Sequence, residues 1–166
     1  MKWHGIMKID SIQHMRNGVV LWQQNNIYNI LHTMGEQFML SCCFANDGSL
    51  VPTNYYFGLD ARPEISVDDE IADLLDEPIA NGYSRQSVNS STGFTIELVN
   101  GFYRASSPVN VFSSSGVGYG PVQNIFMVTT SDNTGILISS ATLSSPITLS
   151  GGDNINLKMS LQLQSS

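Results

Sequence analysis

The sequence predicts a mainly β chain: an antiparallel β-sandwich, jelly-roll in type, with one N-terminal helix and a short acidic helical turn. Three observations predict it. The last strand alternates without interruption, setting Ile155, Leu157, Met159, Leu161 and Leu163 against Asn156, Lys158, Ser160, Gln162 and Gln164. Asn100-Gly101 joins Phe94–Val99 to Phe102–Ser106 with a residue pair that tolerates positive φ at both turn positions. Beyond Asn81-Gly82, short strand-like runs recur at intervals of about 8–12 residues with turn residues between them. A strand that is apolar on one face must bury that face against another layer, so a single sheet is not enough.

Taken in order, Met7 to Gln13 and Gly18 to Gln23 read as short strands around an Asn17-Gly18 turn. Residues 1–25 are therefore expected to form an N-terminal arm or small hairpin, ahead of a single sandwich domain over 26–166. From 26 to 44, the residues Ile27, Ile30, Leu31, Met34, Phe38 and Cys42 recur at spacings of three and four. That spacing predicts a helix over 26–44, with Asn26 as its N-cap and Asn46-Asp47-Gly48 as its stop. The interior Gly35, which costs up to about 1 kcal/mol against alanine, marks a close contact or a break. Tyr55 to Leu59 reads as a strand. Eight of the 14 carboxylates then fall between Asp60 and Glu77, and Ile71, Leu74 and Leu75 give a short helical turn one apolar stripe before Pro78 ends it. Asn124–Thr130 and Ile136–Leu143 form a hairpin across a longer turn, Pro146–Leu149 follows, and Gly151-Gly152-Asp153-Asn154 turns into the last strand.

Composition narrows the function by exclusion. The chain has 166 residues, enough for one domain, with 7 Lys and Arg against 14 Asp and Glu, a formal charge of −7. So acidic a surface has no general attraction for phosphate backbones, which argues against direct nucleic-acid binding. No apolar run approaches the roughly 18 residues of a membrane helix, and MKWHGIMKID lacks a signal peptide's apolar stretch, so no membrane partner is expected. Charged residues are only 13%, about half the usual share, and serine, threonine and asparagine at 45 positions supply the polarity instead. Cys42 and Cys43 are adjacent with no third cysteine, and read as two buried small apolar residues. The fold then needs no oxidising compartment.

The chemistry-bearing residues give no constellation. His4, His14 and His32 are not at metal-ligand spacing, and no nucleophile, phosphate-loop or calcium-loop pattern occurs. Gly116-Val117-Gly118-Tyr119-Gly120 is followed by Pro121 and a strand, which marks a bend between strands. Neither an enzyme nor a cofactor nor a metal is expected. The acidic stretch is the candidate site by default: Asp68, Asp69, Glu70 and Asp73 read first as a solvated acidic face, next as a docking surface for a basic partner, and last as oxygen ligands for a hard cation.

Several segments in a fixed order carry a resemblance. Asn54-Tyr55-Tyr56-Phe57-Gly58-Leu59-Asp60, then Glu77-Pro78 leading to Asn81-Gly82-Tyr83-Ser84-Arg85-Gln86, are similar to a family of small virion structural proteins of tailed bacteriophages. Gly118-Tyr119-Gly120-Pro121-Val122 and Thr129-Thr130-Ser131-Asp132-Asn133-Thr134-Gly135 continue it, over about 26 to 163. The resemblance implies a structural role in the virion, assembled in the host bacterial cytoplasm, and no catalytic residues. It points to a capsid cement or decoration protein that binds the major capsid protein and copies of itself, a trimer above other oligomers. Trp3, Met7, Val19, Val20, Leu21 and Trp22 would then lie on the capsid or a neighbouring subunit as anchors. Two alternatives remain: a tail, neck or baseplate and fibre component, or a carbohydrate-binding jelly-roll module stacking sugars on Tyr55, Tyr56, Phe57, Phe102, Tyr103 and Tyr119.

Overall fold

The computed structural model describes residues 3–45 and 50–165. The chain runs β1 (Trp3–Arg16), β2 (Val19–Tyr28), β3 (Ile30–Leu31), α1 (Thr33–Phe44), β4 (Asn54–Asp60), a 3-10 turn (Ile71–Asp73), β5 (Gln86–Asn89), β6 (Thr95–Val99), β7 (Phe102–Ser106), β8 (Asn110–Ser113), β9 (Tyr119–Val128), β10 (Leu137–Leu149) and β11 (Asp153–Ser165). These strands make two antiparallel sheets. The first has the order β2-β1-β11-β7-β6, with β8 also on β11, and the second β3-β10-β9-β4-β5.

One core draws on both sheets: Ile9 and Ile12 of β1 and Ile155, Leu157 and Met159 of β11 meet Phe57 and Leu59 of β4, Ile125 and Met127 of β9 and Leu149 of β10. Strand β11 buries Ile155, Leu157 and Met159 in strict alternation, because its other face looks outward. The turn at Asn100-Gly101 has φ of +52° and +85°, as a two-residue hairpin between right-twisted strands requires, and Asn17-Gly18 repeats it at +50° and +78°.

Residues 61–77 cross the outer face of the second sheet, where Ile65, Ile71 and Leu74 cover Phe126, Val128 and Leu137 in a smaller second core. Burial on both faces explains why Asn124 to Val128 is buried at every position.

Three expectations need correction. The helix begins at Thr33, not at 26: Asn26 lies in β2 at φ +55°, Ile27 is in β2, and Ile30 and Leu31 form β3. The chain passes from the first sheet to the second at Asn29, whose N–H donates to the Met7 carbonyl before Ile30 and Leu31 pair with Ser140 and Ser139. A strand that changes sheets places its apolar residues at irregular spacing, and here that spacing imitates a helical face. The expected stop at Asn46-Asp47-Gly48 lies outside the described residues. Secondly, the expected hairpin forms from β1 and β2, but it is not an arm ahead of the sandwich, since β1 lies between β2 and β11 and pairs with both. Thirdly, the expected strands Ile136–Leu143, from Leu137 on, and Pro146–Leu149 belong to one strand, β10, with shifts of register between Thr142 and Ile147.

Candidate functional site

Four loops meet at the end of the molecule that carries the β1–β2 turn, and hydrogen bonds join each to the next. Asp153, its side chain fully buried at the start of β11, accepts from Arg16 Nε at 2.6 Å and Nη2 at 2.9 Å, and it contacts His14 Nε2 at 2.8 Å. The Ser150 N–H donates to the same carboxylate, and Arg16 reaches the Ser150 hydroxyl. The bond from Arg16 is the first cause holding Asp153 well below the usual carboxylate range. Ser114 then joins the β10–β11 turn to the next loop: its hydroxyl donates to the carbonyls of Ser150 and Asp153. Finally the Ser115 N–H donates to the Asn81 carbonyl, and the Asn81 side chain donates to the Gly118 carbonyl at 2.6 Å.

A second polar cluster fixes the segment that ends at this pole. Arg85 donates to both oxygens of Glu77 at 2.8 and 2.6 Å, the Tyr83 hydroxyl donates to Glu77 at 2.6 Å, and the Leu59 N–H donates to that hydroxyl. The guanidinium also lies 5.2 Å from the centroid of the Phe126 ring and donates to the carbonyls of Thr130 and Asp132. Burial, reinforced by the Glu77 charge, pushes the Tyr83 phenol far above its ordinary value, so it stays a donor. The motif residues Glu77, Tyr83 and Arg85 thus close a clamp across residues 77–85. Pro78 and Ile79 lie within it, and Ile79 is 96% exposed.

The expected anchor residues divide. Val19, Val20 and Leu21 are exposed at the start of β2, beside the pole, and Trp22 is half-buried against the core. Met7 is a correction: only 7% exposed, it faces inward because a bulge after Ile9 sets Met7 and Ile9 on the same side as Ile12 and His14. The Trp3 backbone pairs with Ser165 in β1, and its side chain lies outside the described residues.

The acidic residues do not converge. Asp68 accepts from the Thr33 hydroxyl, Asp69 pairs with Arg62 and accepts the Ser66 N–H, and Asp73 accepts the Glu70 N–H. Glu70 is exposed. Among the described residues, no group of histidine, cysteine and carboxylate side chains is arranged to hold a metal ion. Cys43 is exposed and Cys42 half-buried, so the expected buried pair is not formed. The aromatic residues considered for sugar stacking do not share one exposed face either: Phe57 and Tyr119 are buried, and Tyr55 packs edge-on to Phe38 and Phe94.

Sequence reading missed Ile79 and Val117, the two most exposed large apolar residues of the described chain, at 96% and 88%. Their only signal is that each is an aliphatic residue among turn formers, Pro78-Ile79-Ala80 and Gly116-Val117-Gly118, where no core period calls for one. Comparison with models of known protein families finds no match, and comparison with curated proteins finds none either.

Proposed function

We propose that the chain is a structural component of a tailed-phage virion: a cement, or decoration, protein that binds the major capsid protein and stabilises the shell. The observation that carries this reading is the pole itself. Exposed aliphatic residues from three segments (Val19, Val20 and Leu21 at the start of β2, then Ile79, then Val117) stand beside or on loops that hydrogen bonds, the part-buried Arg16–Asp153 pair and the largely buried Arg85–Glu77 pair hold in place. Rigid loops that display apolar side chains suit a contact surface, since little order is lost when a partner covers them. The segments that resemble virion proteins supply that rigidity, in Glu77, Tyr83 and Arg85. We read the two sheets as a jelly-roll sandwich, the particle as the chain's location, and self-association, with a trimer favoured, as its state on the shell. Neither a cofactor nor direct contact with nucleic acid is part of this reading.

The test is reconstitution. Particles made without the protein are mixed with purified chain, and the temperature at which they release DNA is measured. Saturable binding and a higher release temperature support cement. Binding at the tail, seen by electron microscopy, moves the chain to a tail or neck role, and no binding refutes the virion reading.

A further inference from the structure

We infer that Ile79 is the anchor of the contact surface, and that it enters an apolar socket flanked by lysine or arginine on the shell protein. The inference rests on the virion reading and names the residue and the chemistry of its partner. An isoleucine left 96% exposed gains nothing for the fold. Yet its segment is held on both sides: Arg85 and Tyr83 bind Glu77 on one side of it, and Asn81 binds Gly118 and Ser115 on the other. Two shallow hollows flank the Pro78–Ile79 ridge, one lined by Asp76 and Asn81 and the other by Asp132 and Asn133. The ridge therefore has the form of a preorganised apolar knob.

Charge decides the rest of the partner. Each of Arg16, Arg62, Arg85 and Arg104 is paired with a carboxylate of this chain, and Lys158, which makes no ion pair among the described residues, lines a different hollow beside Glu97 and Pro108, so no unpaired described cation flanks the ridge. Asp76 is exposed on the flank of the ridge and makes no ion pair among the described residues, within a segment holding eight of the 14 carboxylates. A neutral or acidic socket would meet uncompensated negative charge, whereas a basic rim is complementary.

The experiment measures binding of purified variants to particles made without the protein, at two salt concentrations. Ile79→Ser should bind about tenfold more weakly or worse, with an unchanged melting temperature because the residue is exposed. Asp76→Lys should weaken binding at low salt and flatten its salt dependence. Leu98→Ser, which alters an exposed leucine on β6, should bind like the parent chain. Parent chain that binds while Ile79→Ser binds equally well overturns the anchor and leaves the virion reading standing. Equal losses in Ile79→Ser and Leu98→Ser overturn it as well, by showing general stickiness. An Asp76→Lys chain that binds more tightly overturns the basic rim, and parent chain that binds no particle overturns the inference together with the reading beneath it.

Discussion

Arg85 and Glu77 are both largely buried, and each leaves the other uncompensated when removed. Arg85→Ala should therefore cost about 3–5 kcal/mol of unfolding free energy, measured by urea titration, while replacing both residues with methionine should cost much less. A loss under about 1 kcal/mol for the single change would contradict the clamp. His32 makes a different prediction. It is buried between the Val67 carbonyl, 3.1 Å from Nδ1, and the Ser140 hydroxyl, 2.8 Å from Nε2, and burial is the first cause holding its pKa below 6.5. Because the folded state resists a proton that the unfolded chain accepts, stability falls as pH drops through about 6.5. The melting temperature should decline between pH 7 and pH 5, and His32→Gln should decline less steeply over the same range. Of these residues, Arg85 was visible in the sequence only as part of a resemblance. The clamp is a set of contacts between residues six and eight apart on an irregular segment, and no period marks such contacts.

At the scale of elements, regular alternation and strict turns were legible, and interruptions were not. Strand β11 and the Asn100-Gly101 hairpin form where pattern and turn chemistry place them. The N-terminal hairpin shows little sustained period because β1 bulges after Ile9, which switches its inward face, and the β1–β2 ladder shifts again between His14 and Met15. The start of the helix is not legible because the chain leaves the first sheet at Asn29, between β2 and β3, and the apolar residues of those two strands fall at helical spacing. Gly35 was readable as a close contact or a break, and it is a contact: a Cβ there would lie 2.3 Å from the Ile138 carbonyl oxygen of β10. Gly35→Ala should destabilise by about 1–3 kcal/mol through this overlap, despite alanine's better helix propensity. A more stable variant in thermal unfolding would mean that α1 does not sit against β10. In the β6–β7 turn, Gly101 has no neighbour within 4 Å of an added Cβ, so Gly101→Ala should cost only about 1 kcal/mol, the strain of φ +85°.

At the scale of the whole molecule, composition excludes more than it identifies. Low charge density, abundant hydroxyl and amide side chains and a formal charge of −7 describe a surface. Which parts of that surface are held rigid is decided by Asp153, Ser114 and Asn81, which bring together segments from both ends and the middle of the chain. Such long-range polar contacts carry no local signature, so the pole and its exposed Ile79 and Val117 emerge only once the chain is folded. In the proposed reading this pole works at an interface, and in a virion that work is counted in copies. The most direct test of the proposed virion role is therefore the copy number of the chain in purified phage particles, by quantitative mass spectrometry against the major capsid protein. The account predicts a ratio near one, or a large fixed fraction of it, as an icosahedral shell requires. A handful of copies per particle, or none, would contradict it.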